Sequence, residues 1–320
     1  MSFETSTRAA VVRGLAAAAV ALPARATLAQ GAKLPVTVTV SPATDLLPYF
    51  YARQQGLFEK AGLDITEIAG TSGSASLVAV AGGSAQIGFA NCVSIAVAFA
   101  KGVPVVMLAC GGGYDAALPW AQTFVLPDAP IHSAKDLEGK TVGVTGLHDL
   151  FATALRNWME KQGADPEAVH FVELPPSSMI AALQSKRIDA FTIQEPFRGA
   201  AQAAGFRVLA APYDAVARQF LTAAWFVNAT WAGRNRETAL RFARVIHDAA
   251  AYTNDHFEDL LPLISSYSKI PLESLRQSRP IKVPLSLRPG IIQPLLDVAS
   301  HFHELPAPVR AQDLVFAGVP

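Results

Sequence analysis

Short apolar and β-branched runs alternate along the chain with longer segments whose apolar positions recur at helical spacing. Val36-Thr37-Val38-Thr39-Val40 alternates with period two and is the first predicted strand. Residues 65–68, 86–90 and 105–109 follow, then 122–126, 141–145, 170–173 and 190–193; residues 208–210 and 223–228 close the series. Between strands, Phe151, Leu155, Trp158 and Met159 share a helical face, and Gly163 supplies the stop. Ser133 with Asp136 three residues on has the form of a capping box. The last third is helical in pattern: residues 236–255 carry Leu240, Ala243, His247 and Ala250 on one face, with His247 expected in the core. This alternation predicts an α/β protein with largely parallel sheets. No Gly/Ser-rich linker separates two halves, so two lobes joined by crossing strands are expected, with the crossings near residues 112–122 and 220–228.

The first thirty residues differ from the rest. Arg8 and Arg13 precede an apolar stretch from Leu15 to Leu22, and small-residue patterns follow at Ala24-Arg25-Ala26 and Thr27-Leu28-Ala29. A basic start, a short apolar core and an A-x-A-like site describe a secretory signal peptide over 1–29. The run is shorter than the roughly 18–20 residues that span a bilayer. An alanine-rich N-terminal helix is the plainer alternative. Cleavage after Ala29 leaves 23 basic and 25 acidic residues, and a bacterial periplasm is the expected compartment.

Composition narrows the class. At about 150 residues per domain, 320 residues suggest two domains. Hydrophobic residues at 51% and charged ones at 16% exclude a disordered chain. Lys plus Arg equals Asp plus Glu at 26 each, so there is no basic excess, and no nucleic-acid partner is expected. Cys92 and Cys110 are too few for a disulfide framework or a zinc site. Oxidising surroundings permit a bridge between them, but two unpaired thiols behaving as small hydrophobes are favoured.

In open parallel sheets, ligands bind beyond the carboxyl ends of the strands. That rule selects Thr44 and Asp45 after the first strand, and Ser72 and Ser74 in the Gly- and hydroxyl-rich loop after the second. Free N–H groups and a helix dipole there suit an oxyanion, although an ordinary capping turn has the same composition. No Gly-Lys-Ser/Thr follows, so this is not a phosphate loop. Asn91 follows the third strand and Tyr114 the fourth, where Gly111-Gly112-Gly113 suits a hinge or close ligand approach. His148, in Thr145-Gly146-Leu147-His148-Asp149, is placed to donate to an anion or stack on a ring, or to be a solvated loop residue. Phe197 is placed to pack on a ligand, and Arg198 is read as a surface cation. His301 and His303 would point apart on a helix, so no metal site is expected. Trp225 and Trp231 are read as packing residues.

Four stretches, in order, resemble one family. Residues 47–65, LPYFYARQQGLFEKAGLDI, look like the opening of the nitrate/sulfonate/taurine (NMT1/THI5-like) solute-binding proteins of ABC transporters. Ala81-Gly82-Gly83-Ser84-Ala85-Gln86-Ile87-Gly88 resembles a G-x-A-D-I-G turn, with Gln86 in the acid's place. Residues 136–144, DLEGKTVGV, match a D-L-x-G-K-x-V-x-V pattern. Residues 182–190 with Glu195-Pro196-Phe197 match A-L-x-x-G-x-I-D-A…E-P, with Lys186 in the glycine's place.

The resemblance implies a type II periplasmic-binding fold: two α/β lobes with a ligand cleft and a hinge. Lobe 1 is expected over 30–118 and 223–320, and lobe 2 over 119–222. It implies Glu195 as the cleft acid, against the alternative of a structural salt bridge. The partners implied are a small-molecule ligand and an ABC permease in the inner membrane, or a membrane sensor, with the binder a monomer and without a cofactor.

Fold alone does not separate a binder from an enzyme. An export signal and the lack of any nucleophile–base–orienter set favour a non-catalytic receptor with no catalytic residues. The THI5-like pyrimidine-precursor members carry a histidine shortly after the first strand, whereas this chain has Thr44-Asp45-Leu46-Leu47-Pro48. The expected ligand is a small organic anion, sulfonate- or taurine-like, with Asp45 and Glu195 available to an ammonium group. An aromatic carboxylate is second, suggested by Tyr49, Tyr114, Phe151 and Phe197. The enzymatic alternative is a THI5-like pyrimidine-precursor synthase.

Overall fold

The computed structural model describes residues 33–40, 44–70, 72–147 and 149–320. The expected signal peptide, the loop residues 41–43, Thr71 and His148 lie outside the described residues. Among those described, twelve strands run in chain order. They are β1 (Leu34–Val40), β2 (Leu63–Ala69), β3 (Ile87–Asn91), β4 (Val105–Cys110), β5 (Gly113–Asp115) and β6 (Ala121–Val125). Then come β7 (Thr141–Val144), β8 (His170–Glu173), β9 (Ala190–Gln194), β10 (Arg207–Ala210), β11 (Gln219–Leu221) and β12 (Ala223–Asn228).

Two five-stranded sheets result. The first has the order β2-β1-β3-β12-β4, with β1 parallel to β2 and β3 and with β12 antiparallel between β3 and β4. Five consecutive residues of β12, Ala223 to Val227, are buried, the pattern of a central strand covered on both faces. The second sheet has the order β10-β6-β9-β7-β8, with β7 parallel to β8 and β9 and with β6 antiparallel to both its neighbours. Each sheet therefore mixes parallel pairs with an antiparallel strand delivered by a crossing segment.

Those crossings pair with each other. β5 leads from the first sheet to the second, β11 leads back, and the two form a separate antiparallel ribbon. Gly-Tyr-Asp and Gln-Phe-Leu are too short to show an alternation, which is why neither stands out as a strand in the sequence. Glycine at the crossing is set by packing: a Cβ on Gly111 would meet the Ala223 carbonyl at 2.7 Å, and one on Gly113 would meet Pro284 at 2.7 Å.

Aromatic packing fastens helices to the first sheet. Tyr49 on the helix Leu47–Gln54 packs on Trp225 of β12 with centroids 5.1 Å apart, and Phe242 on the helix Arg236–Asp255 meets Trp225 at 5.3 Å. Such pairs bury large apolar area and add about 1 kcal/mol beyond it. The buried stripe of that long helix is Ala239, Phe242, Ala243, Ile246, Ala249 and Ala250. His247 is not in it: the ring is about one-third exposed and meets the Asp248 carboxylate at 2.9 Å, so the expected core histidine belongs to the rim.

Two smaller features complete the frame. Cys92 and Cys110 are unbridged and buried, and burial pushes both thiols up, Cys110 to about 12. Only half of the expected capping box forms. Asp136 accepts the Ser133 N–H at 2.9 Å, while the Ser133 hydroxyl donates to the same carboxylate instead of capping a helix.

Candidate functional site

A cavity of about 200 Å³ lies where loops following strands of both large sheets meet. The first sheet contributes Asp45 from the turn after β1, Gly73 from the helix after β2, and Phe89 and Asn91 from β3. The second contributes Thr145 and Asp149 after β7 and Gln194 at the end of β9. Trp120, Phe151 and Tyr213 supply aromatic wall. This is where the strand-end rule places ligands.

Local chemistry fixes several of these side chains. Asn91 caps the helix Cys92–Ala100, its Oδ1 accepting the Ser94 N–H at 2.8 Å. Asp149 caps the helix Leu150–Lys161, its Oδ1 accepting the N–H groups of Phe151 (2.9 Å) and Ala152 (3.1 Å) while the Thr145 hydroxyl donates to Oδ2. Ser72 caps the helix Gly73–Ala81 by accepting the Ala75 N–H at 3.1 Å. A Cβ on Gly73 would lie 3.0 Å from that of Ala90, so this helix start packs closely on β3. Three helix N-termini, the positive ends of their dipoles, thus border the cavity.

The electrostatics are one-sided. Burial pushes the Asp45 carboxyl up to about 6, against a weaker opposing hydrogen bond from its own backbone. Its Oδ1 is shut off from solvent and has no hydrogen-bond partner. Burial also pushes Asp149 up to about 6, opposed by its bonds from Thr145, Ala152 and Phe151. The Tyr213 hydroxyl is raised well above its usual value, first by burial and then by the charges of Asp149, Tyr114 and Asp45. No Lys, Arg or His occurs among the described lining residues.

The residues expected from sequence divide. Asp45 and Asn91 line the cavity. Thr44 is buried in the turn Thr44–Leu46 and does not line it. Ser72 is an exposed cap, and Ser74 lies on a different groove with Leu77, Val78 and Val97. Tyr114 is buried with its hydroxyl donating to Asp214 at 2.6 Å; it packs on Trp120 and Tyr213, one layer behind the wall. Phe197 packs into the core of the second sheet, and His148 is outside the described residues.

Glu195 requires the largest correction. It is 2% exposed, it does not line the cavity, and its carboxylate pairs with the Arg198 guanidinium. It also accepts the N–H of Arg279 at 3.0 Å and of Gly199 at 3.3 Å. Arg198, expected at the surface, is itself 2% exposed and bonds Gln202 at 2.7 Å and the Gln277 carbonyl at 3.3 Å. A full set of partners makes this acid architectural. Phe151, named in the sequence only for the aromatic reading, lines the cavity, and so do Trp120, Thr145, Asp149, Gln194 and Tyr213, which had not been singled out. Asp149 alone had a readable signal, an Asp directly before a helix.

Two α/β sheets joined by a short antiparallel ribbon, with a cavity between their loop edges, define the type II periplasmic-binding fold. The periplasmic aliphatic sulphonate binding protein SsuA of Escherichia coli shares it, with a TM-score of 0.74 at 19% identity over 88% of this chain and 92% of that one. So does the desulfurization enzyme DszB, with a TM-score of 0.64 at 15% identity over 88% of this chain and 96% of that one. A family model described as NMT1/THI5 like matches residues 43–259, and the chain belongs to this family. Its curated relatives include a protein of Brucella abortus with a binding-protein name, 25% identical over 223 residues, 68% of this chain and 66% of that one. The taurine-binding periplasmic protein of Escherichia coli is 32% identical over 167 residues, 50% of this chain and 49% of that one. The chain therefore spans just under two thirds of the first relative's length and about half of the second's.

Proposed function

We propose that the protein is the solute-binding component of an ABC importer. In this reading it is exported to the periplasm as a monomer, holds a small sulfonate- or taurine-like solute in the cavity, and delivers it to an inner-membrane permease. The observation that carries the reading is that one cavity is built by both sheets at once, Asp45 and Asn91 on one side and Thr145, Asp149 and Gln194 on the other. A solute touching both sets favours the closed arrangement by its differential affinity for it. The lobes are residues 30–118 with 223–320, and 119–222, and the β5–β11 ribbon is the hinge.

The protein is a receptor without catalytic residues. The buried thiols of Cys92 and Cys110, both pushed up by desolvation, are poor nucleophiles, and likeness to DszB is likeness of fold. The aromatic wall favours an aromatic carboxylate as second reading, but the paired acids oppose a bare anion of either kind.

A thermal-shift panel tests the function. Taurine at a hundred times its dissociation constant adds about 2.7 kcal/mol and moves the midpoint by several degrees. Nitrate, benzoate and pyrimidine precursors are expected to leave it in place. A shift with pyrimidine precursors alone, or turnover of any panel member, overturns the reading.

A further inference from the structure

We infer that Arg279 and Arg156 are positioning residues for solute binding. Through them residues 277–304 form a belt around the hinge, clasped at both ends to the lobe of the second sheet, and hold the two lobes in the arrangement that creates the cavity. The inference rests on the cavity being the solute site and on the two-lobe reading given above.

The belt begins without regular structure. Residues 276–288 lie between the helices Leu272–Leu275 and Pro289–His301, a long bare stretch of the kind that functional loops show. Pro280 and Pro284 stiffen it. Its first contacts are with the second sheet's side. The Gln277 carbonyl accepts from Arg198 at 3.3 Å, and the Arg279 N–H donates to Glu195 at 3.0 Å. The Arg279 guanidinium donates to the Pro119 carbonyl, just before β6, at 2.7 Å.

The middle of the belt crosses the ribbon and grips the first sheet's side. The Lys282 carbonyl accepts the Gly113 N–H of β5 at 2.9 Å, where Pro284 also lies against Gly113. Val283 exchanges two hydrogen bonds with the Asn254 side chain, at 2.8 and 2.9 Å, on the helix that packs on Trp225. The helix Pro289–His301 then runs along β11 and the helix Cys92–Ala100. At its end the chain returns to the second sheet's side. Arg156 of the helix Leu150–Lys161, its guanidinium 4.7 Å over the Phe171 ring of β8, donates to Glu304 at 3.1 Å. Glu160 of the same helix meets His301 at 2.8 Å.

Sequence order puts the belt with the first sheet's lobe, yet both of its ends are bonded to the other. Rotation of the lobes about β5 and β11 must therefore stretch one clasp or the other. The Arg156–Glu304 pair is largely withdrawn from water, so it is screened less than a surface pair. Clasps that exist only in the cavity-forming arrangement raise its population. Solute affinity scales with that population.

Small-angle scattering and calorimetric titration of the full chain with taurine test this on Arg279→Ala and Arg156→Ala, neither of which lines the cavity. Each ligand-free variant should have a larger radius of gyration than the wild type, and saturating taurine should restore the wild-type value. Each should bind taurine about fivefold more weakly, and the double variant more weakly again. Arg279→Lys, which keeps a donor for the Pro119 carbonyl, should recover most of the affinity. Wild-type radii in both ligand-free alanine variants overturn the inference, whatever their melting temperatures, because a merely structural role lowers stability alone. Wild-type taurine affinity in both does the same and leaves the receptor function standing. A wild-type chain that binds no solute overturns the receptor function, and the ligand-free radii then decide the belt by themselves.

Discussion

Glu195 follows β9 and Asp45 follows β1, each at the carboxyl edge of its own sheet and each largely withdrawn from water. Around Glu195 the chain supplies a guanidinium and two backbone N–H groups, and Arg198 is tied in turn to Gln202 and Gln277. Among the described residues lining the cavity with Asp45 there is no cation, and one Asp45 carboxylate oxygen has no donor. A buried charge is tolerated when it is paired, so the first arrangement is self-sufficient and holds Arg279 and its segment against the second sheet. The second lacks a donor and lies on a cavity, the property expected of a binding site. Burial alone did not separate the two; the presence or absence of partners did.

Breaking the self-sufficient side should have the largest effect. Glu195→Ala leaves the Arg198 guanidinium buried without its counter-ion, and urea denaturation should show a loss of about 3–5 kcal/mol. Unchanged stability would erase the contrast.

The next effect reads the open side through pH. Asp45 titrates near 6 in the folded chain against 3.8 for the free group, with Tyr213 and Tyr267 as its titratable neighbours. Between about pH 4 and 6 the folded state therefore holds more protons than the unfolded one. Stability from this group is present below that window, falls as pH rises through it, and is level above, a loss of about 2–3 kcal/mol. Asp149 behaves in the same direction. Ligand-free Asp45→Asn should lose the Asp45 part of that slope when unfolding is compared at pH 4 and pH 7; identical slopes in variant and wild type contradict the assignment.

Asp149 sharpens the comparison because it is both cap and cavity acid. Asp149→Ala removes the acceptor for two helix N–H groups and should be about 1 kcal/mol less stable than Asp149→Asn, which keeps one. Equal denaturation midpoints would mean that the cap contributes nothing. The smallest effect belongs to an acid in water: Arg310→Ala, which breaks the exposed pair with Asp313, should leave the midpoint where it is.

Much of the fold is legible along the chain. β8, β12 and the helix Arg236–Asp255 coincide with their patterns, and the other long strands fall within one or two residues of theirs. Asp45 and Asn91 were reachable because one lies in the turn after a strand and the other at a strand's last position, and both strand ends are easily read. Tyr213 was not: it sits in the short turn Pro212–Ala215, where no period marks a direction. Phe197 and Tyr114 follow strands as Asp45 does, yet they face packed layers.

Sequence by itself determined the elements, the two-lobe plan and the loops from which a cleft is made, because side-chain periodicity and capping act over a few residues. Tertiary structure alone decided which acid is fully partnered and which is left with an oxygen that has no donor. Glu195 accepts the N–H of Arg279, 84 positions away, and Asp45 shares its cavity with residues of the other sheet. Whether a carboxylate finds a donor depends on which distant segments reach it, and folding settles that by burying the segments together.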